Sequence, residues 1–113
     1  MTTLTDLDIL AYRHGAQLLL GRDPRGVAHL AVHTPAPIEG LPDFLVVPLA
    51  PAAQVDYLAG QVDLRTVMLD QGRQGWFRAR WGQGGDSLIM HRQRHLLSEM
   101  TAGLPGAGRY FPE

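Results

Sequence analysis

The sequence predicts an α+β domain, with a mainly antiparallel sheet of about five strands and its helices packed on one face. The order read is β-hairpin, central strand, two short helices and β-hairpin. Three observations carry it. Residues 44–49 form an apolar, β-branched run bounded by prolines, as a buried strand does. Pro51 and Gly60 bracket the stretch after it as the first turn and the stop of a short helix. Hairpin patterns lie on both sides, at residues 17–33 and 76–91.

Residues 7–13 are a short mixed segment that reads as a strand ending at His14-Gly15. Residues 17–22 and 27–33 then form the clearest hairpin, because Asp23-Pro24-Arg25-Gly26 matches the residue preferences of a type I turn. With Arg22 opposite Val27, one face carries Leu19, Ala28, Leu30 and Val32, and the other carries Leu18, Leu20, His29, Ala31 and His33. Prolines and a glycine make residues 34–42 a loop. Pro48 lacks an amide donor, so the central strand ends near it or lies at an edge there.

In the first helix Ala52, Val55, Leu58 and Ala59 fall at helical spacing. Asp63 caps a second helix whose apolar stripe is Leu64, Val67 and Met68. Residues 76–81 and 87–91 form the second hairpin, closed by Gly82-Gln83-Gly84-Gly85. With Arg80 opposite Ser87, the core face carries Phe77, Ala79, Trp81, Leu88 and Met90, and Trp76, Arg78, Arg80, Ile89 and His91 point away. Leu96, Leu97 and Met100 suggest a last helical turn, and residues 104–113 a tail laid over the surface.

A chain of 113 residues with 45% hydrophobic content suits a single domain over residues 1–113. It holds no cysteine, which excludes disulfides, thiolate metal sites and a cysteine nucleophile. It also lacks lysine and asparagine while carrying ten arginines, the composition of a GC-rich bacterial genome. The net charge of -1 is unevenly spread: residues 1–70 are acidic on balance and residues 71–113 mildly basic. The acidic start is unlike a signal peptide, and no apolar stretch approaches the roughly 20 residues of a membrane span, so a cytoplasmic location away from the membrane is expected.

Three short pieces carry a resemblance: Val47-Pro48-Leu49 leading into a helix, residues 59–65 (Ala59-Gly60-Gln61-Val62-Asp63-Leu64-Arg65), and residues 104–110 (Leu104-Pro105-Gly106-Ala107-Gly108-Arg109-Tyr110). In these and in element order the chain resembles a family of small bacterial domains of unknown function. The resemblance implies a compact sheet-and-helix domain and brings no activity, cofactor or site residue with it.

Enzyme chemistry finds little footing. His91, His95 and Glu99 would line up for a metal only on one continuous helix, and His91 reads as a strand end. His29 and His33 lie about 13 Å apart on a strand, too far for one ion, and read as hairpin surface residues. Neither serine, Ser87 or Ser98, sits in a nucleophile elbow. The glycines at 82–85 close a hairpin, whereas phosphate loops open a helix. No catalytic residue, cofactor or metal is assigned.

The candidate binding surface is the second hairpin with its flank: Trp76, Arg78, Arg80, Ile89, His91, Arg92 and Arg94. Arginines beside an exposed aromatic can grip phosphates and stack on bases, or anchor a protein interface. An arginine-rich solvated strand with its tryptophan packed inward explains the same residues. The leading expectation is a non-enzymatic binding domain that contacts another protein or a second copy of itself, through the half-apolar faces Leu18/Leu20/Ala31 and Trp76/Ile89. A nucleic-acid-binding module using Arg78, Arg80 and Trp76 is the alternative. A metal-dependent hydrolase around His91, His95 and Glu99 is the third reading.

Overall fold

The computed structural model describes residues 2–12, 16–33, 44–73, 75–91, 104 and 106–112. The elements are β1 (Thr2–Tyr12), β2 (Ala16–Arg22), β3 (Ala28–His33), β4 (Phe44–Pro48), α1 (Pro51–Leu58), α2 (Leu64–Gln71), β5 (Phe77–Trp81) and β6 (Leu88–Met90). The strands form a closed antiparallel barrel in sequence order. This corrects the expected open α+β sheet of about five strands: among the described residues there are six strands, the sheet closes on itself, and two short helices accompany it.

The closing strand is β1, which the sequence shows only as a weak strand over residues 7–13. Its start pairs with β6, Thr3 opposite Ile89 and Leu4 opposite Leu88, while Thr5 onward pairs with β2. Between Thr5 and Asp8 the register shifts, and Asp6 adopts a φ of 52°, so the strand turns the corner from one neighbour to the other. That irregularity breaks the two-residue alternation by which a strand is recognised. Gly21 of β2 packs tightly against β1: a Cβ there would sit 2.7 Å from Leu7 Cδ2 and 3.3 Å from Leu4 Cβ.

Two apolar layers result. The barrel interior holds Leu4, Leu19, Ala31, Phe44, Val46, Ala79, Leu88 and Met90, with Leu7, Phe77 and Trp81 packed against them. Phe44 meets Trp81 edge to face at 5.6 Å and His33 likewise at 5.6 Å. On the outer face, Leu18, Leu20, Leu30, Val32, Leu45 and Val47 are covered by Tyr57 of α1, by Leu64, Val67 and Met68 of α2, and by Leu104 of the tail. β4 is therefore apolar on both sides, which explains its unbroken hydrophobic run.

The first hairpin is shifted by one residue from the predicted register, and this redistributes its faces. Arg22 pairs with Ala28, not Val27. The reason lies in the turn. The Asp23 carboxylate accepts from the amides of Arg25 and Val27, Gly26 takes a φ of 82°, and the Asp23 amide donates to the Val27 carbonyl. A type I turn with a left-handed glycine after it adds one residue to the loop. Leu19 and Ala31 thereby enter the barrel, and Leu18 and Leu20 join Leu30 and Val32 outside.

The second hairpin pairs Arg80 with Ile89 instead of Ser87, a shift of two residues. An even shift preserves faces, so Phe77, Ala79, Trp81, Leu88 and Met90 do line the interior. Pro48 lies at the end of β4 beyond its last pair with β5, Val46 opposite Phe77, so its missing donor leaves no gap in that ladder.

In α1 the expected stripe is wrong: Val55 is 66% exposed, Ala52 and Ala59 are exposed, and Tyr57 is the fully buried residue. The helix ends as read, Gly60 adopting a φ of 73° with the Gln61 amide donating to the Asp56 carbonyl. In α2 both cap and stripe hold, Asp63 Oδ1 accepting from the Thr66 amide at 2.8 Å. The other oxygen, Oδ2, accepts from the Gly108 amide at 2.8 Å, and the Leu64 amide donates to the Arg109 carbonyl. One carboxylate thus caps a helix and pins the tail, whose Phe111 ring packs on Tyr57. The predicted loop at 34–42 and the helical turn at 96–100 lie outside the described residues.

Candidate functional site

Trp76 is buried, 4% exposed, within the outer layer beneath the helices. Its side chain does share the outer face with Arg78 and Arg80, but it belongs to the buried cluster that holds Leu64, Val67 and Met68 of α2 and Leu104. The expected exposed tryptophan is therefore a core residue, and the stacking surface loses its aromatic. Arg78, Arg80 and Ile89 are half-buried and His91 is exposed. Arg92, Arg94, His95, Ser98 and Glu99 lie outside the described residues. Among the described residues no three of His, Asp and Glu gather closely enough to hold a metal ion.

Of the half-apolar faces expected to mediate self-association, all but the half-buried Ile89 are packed within the chain itself. Leu18 and Leu20 lie under the helices, Ala31 is inside the barrel and Trp76 is buried. His29 was expected at the surface but is 5% exposed, its Nδ1 lying 3.0 Å from the Val27 carbonyl oxygen. Burial holds the imidazole below its ordinary titration range, against the opposing pull of that carbonyl and of Asp23. It is a neutral strut of the first hairpin.

The structure brings together a different set of residues. Between the β2–β3 turn and the helical pair lies a cleft of about 750 Å³. Arg22 and Arg25 rise from the turn on one side, and Asp70, Gln71 and Arg73 come from the end of α2 on the other. Val27, Ala28, Pro48 and Leu49 give it an apolar floor. The turn is held rigid by the Asp23 carboxylate, and Arg22 Nη1 donates to the Gly26 carbonyl at 2.8 Å. The far wall is tied by Gln71, whose Oε1 accepts from the Ala50 amide at 2.8 Å and whose Nε2 donates to Asp70 Oδ2 at 3.1 Å.

The electrostatics follow from the inventory. Among the described residues, three guanidiniums and one carboxylate line the cleft. The carboxylate, Asp70, lies 3.5 Å from Arg73 Nη2, with the two side chains 55% and 74% exposed. Such an open pair is worth at most about 1 kcal/mol and is readily exchanged for a better partner. Arg22 spends one donor on a neutral carbonyl, and no carboxylate among the described residues forms an ion pair with it. Guanidiniums present paired N–H donors, so these groups can orient and hold an anion.

Nothing local in the sequence pointed here. Arg22 and Arg25 sit in the acidic part of the chain and Arg73 in the basic part, so composition separates what folding brings together. Only the position of the first turn relative to the end of α2 assembles the set.

No protein-family model, no curated protein and no solved structure matches the chain. No relative lends a residue its role, and the site rests on this chain's own chemistry. No helix among the described residues is long and apolar enough to cross a membrane.

Proposed function

We propose that the protein is a non-enzymatic binding domain whose ligand is an anion held in the cleft between the β2–β3 turn and the helical pair. The observation that carries this reading is the excess of guanidiniums, Arg22, Arg25 and Arg73, over the single carboxylate Asp70 around an apolar floor. Clefts that combine an apolar lining with a few convergent charged groups are the usual form of a ligand site. Arginine is the side chain best matched to a carboxylate or phosphate, through its paired N–H donors. The expectation of a binding protein is kept and its surface moves, from the second hairpin to the first.

Calorimetric titration with N-acetyl-Glu-Glu and with inorganic phosphate tests the proposal. Saturable binding that weakens as salt rises, and that is lost in Arg25→Ala with Arg73→Ala while Arg78→Ala leaves it unchanged, is the expected result. Binding that survives the double substitution, or no saturable binding by either anion, contradicts it. Comparing the two probes tells carboxylate from phosphate preference.

A further inference from the structure

We infer that the natural occupant is an extended segment of a partner protein in which acidic residues adjoin apolar ones, the acids lying over Arg22 and Arg25 and the apolar side chains in a second trough beside them. This inference rests on the anion-binding reading above and extends it.

The second trough, of about 540 Å³, runs between α1 and α2 and is lined by Ala53, Asp56, Val62, Thr66, Val67 and Leu69. It shares Asp70 and Arg73 with the arginine-lined cleft, so the two adjoin across that exchangeable ion pair. Their chemistry is complementary. Arg22 and Arg25 line the first trough, and Ala53, Val62 and Leu69, which pack on the outer core, give the second an apolar lining that also includes Asp56. A ligand matching the pair is acidic over the arginines and apolar in the second trough, and is not acidic where it meets Asp56.

Geometry favours a peptide. Both troughs are half open to solvent, so side chains can enter while the backbone stays in water, and the rim of Thr66, Asp56 and Asp70 is polar as interface rims are. An acyl chain gains most in an enclosed cavity, which neither trough is. Among the described residues the six strands close on one another, which favours recognition by side chains in grooves over addition of a strand.

The test uses fluorescence anisotropy of a labelled peptide, Gly-Glu-Glu-Leu-Val-Gly, against two controls, one with both glutamates replaced by glutamine and one with leucine and valine replaced by serine. Two protein variants accompany it, Arg25→Glu in the charged cleft and Ala53→Glu in the apolar trough, with thermal unfolding confirming that each is folded. The expected result is that the parent peptide binds at least roughly tenfold tighter than either control, the scale set by burying an apolar side chain. Arg25→Glu should weaken the parent and the serine peptide alike, whereas Ala53→Glu should weaken the parent alone. If the serine peptide binds as tightly as the parent and does so through Arg25, the anion site stands and the peptide inference falls. If no peptide shows Arg25-dependent binding, the inference falls, and the anion site is then judged by N-acetyl-Glu-Glu and phosphate. A short oligothymidine that binds through Arg25 more tightly than the parent peptide overturns the inference in favour of nucleic acid. Should Ala53→Glu not fold, the serine control decides the matter unaided.

Discussion

Replacing Asp63 by alanine should destabilise the protein by about 2–3 kcal/mol, and the figure can be built from its two hydrogen bonds to backbone amides. Oδ1 caps α2 through the Thr66 amide, and loss of such a cap costs about 1 kcal/mol. Oδ2 holds the Gly108 amide from a residue that is 8% exposed, and stranding that donor costs about 1–3 kcal/mol, the lower part of the range applying because Gly108 itself is exposed and can be hydrated. For 113 residues the unfolding entropy is about 0.24 kcal/mol per degree, so the midpoint should fall by about 8–12 °C. Asp63→Asn should lose less, about 1 kcal/mol, because asparagine caps as well as aspartate but has only one oxygen and turns its amide toward Gly108. Urea unfolding of the three proteins reads this directly. A cost below about 0.5 kcal/mol for the alanine variant, or asparagine costing more than alanine, would refute the two-bond account. The same carboxyl titrates below its ordinary value of 3.8, held there first by the hydrogen bond from the Thr66 side chain and then by the Gly108 and Thr66 amides. Because the folded state binds its proton less readily than the unfolded one, the contribution is complete above pH 3.8 and drains away as pH falls through the folded value. Asp63→Asn should therefore flatten the acid limb of the stability curve.

Three further outcomes are expected. His29 is held below its ordinary value of 6.5 by burial, so folding should weaken as pH drops below 6.5 and the imidazole is forced to charge, and His29→Leu should reduce that slope in urea midpoints measured across pH. Gly21→Ala should cost about 1–3 kcal/mol in the same assay, since the new Cβ would press on Leu4 Cβ as well as on the more yielding Leu7 tip. Trp76→Ala should cost about 3–5 kcal/mol as a core truncation, yet leave the affinity of the remaining folded protein for N-acetyl-Glu-Glu unchanged, which separates packing from recognition.

Features set by neighbours in the chain were legible in the sequence, and features set by distant partners were not. Asp63 as a cap with Leu64, Val67 and Met68 as its stripe follows from one turn of helix and appears as read. The inward set of the second hairpin survived a misplaced turn because a two-residue slip keeps parity. The first hairpin did not, because the left-handed Gly26 adds a single residue and exchanges the faces. Closure was hidden for another reason: it depends on Thr2 to Leu4 meeting Leu88 to Met90 across nearly the whole chain, on a strand whose bulge erases its alternation. Trp76 was placed on the correct side of β5, but alternation tells which side a residue is on and not what covers that side. Arg22, Arg25 and Arg73 form a set only after that covering has folded down.

The most direct test of the central claim is the spectrum of arginine side-chain Nε–Hε signals as N-acetyl-Glu-Glu is added. The account predicts that Arg22, Arg25 and Arg73 shift together and saturate together, while Arg78 and Arg80 stay where they are. Movement of Arg78 and Arg80 with the cleft arginines unmoved would return the binding surface to the second hairpin and contradict the account.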